Sequence, residues 1–305
     1  MTGPRGLGAG TGAKRREGYG RGTHSIRGGA IAAATPEELA EQVLARFAAP
    51  GYEPPLLPAV ALQLLEISRK SSTTFRDVMG LLEQEPLLTG RVVQLAKSAA
   101  YATREPVKNL EQAVSRLGLR TLTDLFLQVS ASARVFRAPG FEPVMERVRR
   151  HSIVTAYLSR ELTLAIGSDD DEAFLAGLLH DAGIAAMLIL AAELCNRRAP
   201  PDLSTVWSAI FGAHVHAVGV LATAWKLSEE LTITLRRHHD PIPGGKLHRR
   251  AAVVCVADWL ASEVAPMDEV SEETAAEVRR ALGISEPDVE RMRSLAQRIA
   301  ESLAA

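Results

Sequence analysis

The chain has two cysteines in 305 residues, Cys195 and Cys255, both in apolar helical surroundings. That leaves no disulfide framework and no zinc knuckle. Aromatic residues are scarce at 5%, so the apolar positions fall mainly to Leu, Ala and Val, which favours helices packed closely on helices. Neither sign of charge dominates. A net charge of −1 argues against a broadly basic surface, and nucleic acid is not an expected partner. No stretch approaches ~20 uninterrupted apolar residues, so no membrane span is expected. Nor does any segment alternate with period two for long enough to make a sheet. What remains is an all-α chain with no targeting segment, expected in the cytoplasm.

Residues 1–34 hold ten of the 23 glycines together with Arg5, Lys14, Arg15, Arg16, Arg21 and Arg27. With almost nothing to bury, they read as a disordered, solvated Gly/Arg-rich tail. Order is expected from Thr35, where Thr35-Pro36-Glu37-Glu38 is a capping box with proline at the first helical position. Apolar residues recur at three-four spacing from there to about Val135, divided by turns at Ser71-Ser72, Glu85-Pro86 and Arg104-Glu105-Pro106, and again at Gly118. The break at Ala138-Pro139-Gly140 divides a module over 35–305 into two packed lobes, 35–138 and 139–305. In the second lobe, helices are expected over 144–164, through His180-Asp181 behind an Asp169-Asp170-Asp171 cap, over 207–225, 228–239 and 249–264, and in the tail over 272–281 and 286–304.

Along that second lobe stands an ordered series of residues that bind divalent metals: His151, His180, Asp181, His214, His238, His239 and Asp258. Imidazole and carboxylate together suit Mn, Fe, Co, Ni or Zn. Each residue alone has a plainer use. A buried histidine also satisfies a backbone carbonyl or a carboxylate, His180-Asp181 would serve as a polar pair holding helices in register, and Asp258 would pair with Arg249 or Arg250. His238 and His239 would also suit a helix C-terminus. His216, two residues beyond His214, is an alternative to it. His24 and His248 stand outside the series.

Motifs beyond the metal series complete a pattern. Leu57-Pro58-Ala59-Val60, Glu85-Pro86-Leu87-Leu88-Thr89, Leu95-Ala96-Lys97-Ser98-Ala99 and Ala113–Gly118 run in order through the first lobe. Arg150-His151-Ser152, Ala176–Gly183, Trp225-Lys226-Leu227, His238-His239-Asp240-Pro241 and Val256-Ala257-Asp258 continue through the second. In this order the chain, over roughly residues 50–265, resembles the HDOD (HD-related output domain) family of bacterial signalling modules, kin to the HD metal-dependent phosphohydrolases. The resemblance implies a second lobe built as an HD-type helical bundle. It also implies a non-catalytic regulatory role exercised by binding a signalling protein partner or a nucleotide.

The same resemblance extends to HD-GYP cyclic-dinucleotide phosphodiesterases. It would place His151, His180, Asp181 and Asp258 on a first metal and His214, His238 and His239 on a second, with Asp181 as the catalytic carboxylate if the chain were an enzyme. Two departures count against turnover. Those enzymes follow the His-Asp pair with Gly-Lys, whereas Gly183 here precedes Ile184, and their Gly-Tyr-Pro loop is replaced by Pro241-Ile242-Pro243-Gly244-Gly245. Within the family, Glu85-Pro86 replaces the usual Asp-Pro and Lys97-Ser98 the usual Asn-Ser.

Overall fold

The computed structural model describes residues 36–55, 74–84, 86–98, 101, 107–134, 137–195, 203–267 and 270–304. The Gly/Arg tail, the Leu57–Val60 motif and the turns at 71–72, Glu85 and 104–106 lie outside them. Among the described residues the regular structure is all helix: α1 (Pro36–Phe47), α2 (Phe75–Gln84), α3 (Pro86–Ala96), α4 (Leu110–Arg134), α5 (Glu142–Ala165), α6 (Ala173–Leu179), α7 (Ala182–Leu194), α8 (Leu203–Ala224), α9 (Glu229–Arg237), α10 (Arg249–Ser262), α11 (Glu272–Leu282) and α12 (Glu286–Ala304).

Local chemistry sets the ends of these helices. Ser228 caps α9 by accepting from the Leu231 amide, with Glu229 and Glu230 in the first turn and Arg236 and Arg237 in the last, each charge matched to the helix dipole. Ser271 caps α11 in the same way, and Gly283 ends it in the left-handed conformation that costs glycine nothing. Gly118 sits inside α4 at φ 74 and kinks it, where the sequence placed a break between apolar stretches. Trp225 and Lys226 explain one motif of the second lobe. The Trp225 indole donates to the Pro55 carbonyl at 2.7 Å, pinning the segment after α1. Lys226, at φ 54, adopts the left-handed cap of α8, with the Leu227 amide on the Ala222 carbonyl. A β-carbon is strained there, and Lys226 is exposed. Lys226→Gly is therefore expected to raise stability by ~0.5–1 kcal/mol, net of glycine's greater unfolded-state entropy, read as a higher denaturant midpoint at unchanged slope.

Among the described residues the apolar side chains form three clusters. One is formed where Val78, Leu82, Val92, Val114 and Phe126 from α2, α3 and α4 meet. The largest is centred on α6, α7 and α8, and another gathers α5 with α10, α11 and α12. Helix α7 is apolar around nearly its whole circumference and is buried over most of its length, with Ile189 and Glu193 reaching the surface. Helix α1, placed with the first lobe by sequence order, packs its Leu39, Val43 and Phe47 into the second-lobe cluster against α7 and α8. Two stretches, Ala173–Leu194 and Trp207–Ala224, are long and apolar enough to cross a membrane by composition, which the sequence reading did not anticipate. The first is 94% buried inside the protein itself and carries the His180-Asp181 pair, as a core element does.

Candidate metal centre

The His-Asp pair lies at a break, not within one continuous helix. His180 ends α6 and Asp181 precedes α7, with non-helical torsions at Asp181 (φ −99, ψ 10). Neighbouring residues on an unbroken helix diverge by ~100° around its axis. Here the His180 Nε2 and the Asp181 Oδ2 lie 3.3 Å apart and face one centre. The expected Asp169–Asp171 cap also differs: Glu172 is the cap residue and its side chain makes no cap bond, while the Asp170 carboxylate accepts from the Glu172 amide instead.

All seven predicted residues come together. Around Asp181 Oδ2 stand His180 Nε2 at 3.3 Å and His151 Nε2 at 4.0 Å, and His151 Nε2 also lies 2.9 Å from Asp258 Oδ1. Around Asp181 Oδ1 stand His214 Nε2 at 3.6 Å and His238 Nε2 at 3.9 Å. His239 Nε2 reaches His214 Nε2 at 3.2 Å. Donor atoms of His151, His180 and Asp258 all lie within 4.8 Å of one another, and so do those of His214, His238 and His239. One carboxylate thus faces two donor triads, one oxygen to each. Asp258 pairs with His151 rather than with Arg249 or Arg250. Arg250 is spent on Asp170 and Glu172. His214, not His216, is the inward histidine: His214 is 2% exposed, whereas His216 faces solvent.

The histidines are oriented by their own backbone. The Nδ1 of His180 contacts the Gly177 carbonyl, that of His214 the Phe211 carbonyl and that of His238 the Leu235 carbonyl, each three residues back, while His151 Nδ1 reaches Ala265. A carbonyl accepts only, so each Nδ1 carries a proton and each ring turns its Nε2 toward the centre, offering a lone pair wherever the ring is neutral. His214 and His238 then face each other, lone pair to lone pair, at 3.3 Å. Two neutral acceptors at that distance repel unless a cation or a proton lies between them. His180 Nε2 is buried and lies off the line of any hydrogen bond. Burial of an unpartnered polar nitrogen of this kind is costly. The residues present fit a divalent metal.

Electrostatics reinforce the point. Burial works to keep His180 neutral, yet Asp181 and Asp258 beside it outweigh burial and push its pKa up to about 9. Asp181 is held well below the usual carboxylate range: burial opposes ionisation, and His180, His214 and His151 overcome it. His238 is driven well below the ordinary histidine value by burial and by the neighbouring imidazoles, and His239 is lowered for the same reasons. Two carboxylates, with His238 and His239 held neutral beside them, suit a site whose positive charge is a metal's.

The centre is closed. Six of the seven side chains are at most 3% exposed, and His239 alone is partly open. Cavities of about 550, 190 and 370 Å³ occur elsewhere in the protein, and none is lined by any of the seven. Ile184, where a phosphate-holding lysine would stand, is fully buried. Sequence reading missed what brings the two triads together. A β-carbon on Gly183 would sit 2.2 Å from the His214 carbonyl oxygen, so glycine is what lets α7 and α8 approach. Gly177 does the same between α6 and α5. Gly177 and Gly183 flank His180-Asp181 on either side, which is the one trace of this in the sequence.

The fold is shared with solved structures. A "Putative metal-dependent phosphohydrolase" from Shewanella amazonensis SB2B is 21% identical, with a TM-score of 0.67 over 88% of this chain and 99% of that one. A "Putative signal transduction protein" from Marinobacter aquaeolei VT8 is 20% identical, with a TM-score of 0.61 over 88% of this chain and 64% of that one. Among curated proteins, an uncharacterized protein of Treponema pallidum (strain Nichols) is 28% identical over 197 residues, which are 61% of this chain and 37% of its own length. The chain therefore spans little more than a third of that relative. The HDOD domain model matches residues 55–241, taking in every residue of the centre except Asp258, and the chain belongs to the HDOD domain family.

Proposed function

We propose that the chain is a regulatory module of bacterial signal transduction, acting in the cytoplasm by binding a partner protein or a nucleotide, without turning over a substrate. The observation that carries this reading is the enclosure of the centre: its donors are almost all buried, and so is Ile184, which stands in the sequence where the HD-GYP resemblance would put a lysine. Without such a charge, transition-state stabilisation is weak. In this reading the metal holds five helices and the segment after α9 around one point. His151, His180, Asp181 and Asp258 would hold one ion, and Asp181, His214, His238 and His239 the other, with Mn, Fe, Co, Ni or Zn all compatible with the donors. The signalling description of the Marinobacter structure accords with it.

A second reading rests on Asp181, whose two oxygens face two complete triads. That is the arrangement of a metal-dependent phosphohydrolase, here acting on a nucleotide or cyclic dinucleotide. Protein purified without chelator distinguishes the two. Elemental analysis should find metal, and hydrolysis of cyclic di-GMP, other cyclic dinucleotides and a generic phosphodiester should match an Asp181→Ala blank. Turnover lost on Asp181→Ala would replace the first reading with the second.

A further inference from the structure

The two triads differ in how their histidines are held. Five histidines face the centre, and in four of them the Nδ1 meets a backbone carbonyl. His239 is the exception. Among the described residues its Nδ1 has no hydrogen-bond partner, and its Nε2 lies 3.2 Å from His214 Nε2. It is also the one member of the centre that is partly open to solvent. An imidazole without an orienting hydrogen bond rotates about its side-chain bonds unless something packs on it, and a ligand that turns away weakens its metal.

Phe211 of α8 is what packs on it. The Phe211 ring meets the His239 ring at 5.9 Å between centroids and 69° between planes, and it stacks on His214 at 4.8 Å and 28°. Aromatic pairs favour both arrangements. Phe211 and His214 stand three residues apart on α8, so the helix puts them on one face. Phe211 is itself only half-buried, which places its ring at the boundary between the second triad and solvent. The first triad has no such edge. His151, His180, Asp181 and Asp258 are at most 3% exposed, and His151 is held at both ring nitrogens, by the Ala265 carbonyl and by Asp258.

We propose that the centre holds one locked ion, between His151, His180, Asp181 and Asp258, and one exchangeable ion, on the His214–His238–His239 side. Phe211 sets the exchange rate by covering His239 and by holding its ring on the metal in place of a hydrogen bond. The inference rests on the reading that these residues bind two metal ions, and adds to it which ion the surroundings reach. A module built this way answers to the free concentration of a divalent cation at one site, while the ion at the other stays in the core.

The test is zinc release. Protein loaded with zinc alone is mixed with excess chromogenic chelator, and release is followed in time. The wild type should release two ions in two phases, of which His239→Ala lacks the fast one and keeps the slow one. Phe211→Ala removes the ring and keeps the carbonyl that accepts from His214. It should speed the fast phase roughly tenfold and leave the slow phase unchanged, which also shows that the variant is folded. Phe211→Leu keeps apolar bulk should the alanine variant fail to fold, and should still release faster than the wild type. Phe211→Tyr restores the ring and should return the fast phase to nearly the wild-type rate. Acceleration of both phases together would mean a general loosening of the core and would overturn the proposal. So would a fast phase that is indifferent to the ring, or two ions released at one rate. A wild type that takes up no zinc would remove the metal centre itself, and this proposal with it.

Discussion

Gly183→Ala should be among the most damaging single-methyl changes available to this protein. Its β-carbon would lie 2.2 Å from the His214 carbonyl oxygen and 2.8 Å from the Val218 amide nitrogen. Both are backbone atoms of α8, so no side-chain rotation relieves the contact, and the helices must separate. Overpacking of a tight core costs ~1–3 kcal/mol, and a rigid backbone obstacle puts the cost at or above the top of that range. The movement also carries His214 away from Asp181, so loss of the His214–His238–His239 metal should accompany the loss of stability. Gly212→Ala is the control: it lies on the same helix α8 with open space around its would-be β-carbon, and should stabilise by ~0.5–1 kcal/mol. Denaturant midpoints of the two variants should move in opposite directions, and metal content should fall only in Gly183→Ala. A well-folded, metal-replete Gly183→Ala would mean that the α7–α8 approach does not position the centre.

The contrast between those glycines marks where sequence reading stops. The series of candidate ligands stood out because histidines are few and the order of histidine and aspartate is informative, and the structure brings the side chains of all seven together. Helix positions were legible for the same kind of reason. Ser228, Ser271 and Gly283 declare their ends, and the expected second-lobe helices lie within a few residues of those observed. The break at His180-Asp181 was hidden because Leu178, Leu179, Ala182 and Ile184 keep the chain apolar across it, giving no turn signal. Spacing to Trp225 favoured His214 and left His216 open as a substitute. Residues two apart on a helix point ~200° apart, so only one can face inward, but which one depends on the packing of α8.

Partnership is harder to read than element type. The amphipathic pattern of α1 shows that Leu39, Val43 and Phe47 share a face, and says nothing of what covers it; α7 and α8 do. The Asp124–Arg160 pair joins residues 36 apart, and a charge in a sequence does not announce its partner. Likewise Arg250 was a candidate partner for Asp258 by proximity along α10. Its guanidinium turns instead to Asp170 and Glu172, the latter also accepting from the Ser228 hydroxyl that caps α9. That leaves Asp258 to His151 and the centre.

Asp181→Ala should empty both halves of the centre at once, because its Oδ2 serves one triad and its Oδ1 the other. Loss of any one histidine removes a ligand from one ion, and loss of Asp181 removes the carboxylate oxygen that faces each triad. The stability effect should track the metal. A ligand held a thousandfold above its Kd contributes about 4 kcal/mol, and that contribution vanishes in the variant and in chelated wild type alike. Metal uptake should also release protons in a particular way. His180, raised to about 9 by Asp181 and Asp258 against burial, carries a proton at neutral pH that an incoming cation must displace. His238 and His239, lowered by burial and by their neighbours, carry none. Affinity at the side that holds His180 should therefore rise about tenfold per pH unit up to pH ~9, a dependence that His238 and His239 do not add at the other side above pH 7. Calorimetric titration in buffers of different ionisation enthalpy reads the number directly, with about one proton released from His180 and none from His238 or His239. Equal release by both ions would show that the two triads do not differ in charge as their surroundings dictate. Metal stoichiometry unchanged in Asp181→Ala would remove Asp181 from the centre altogether.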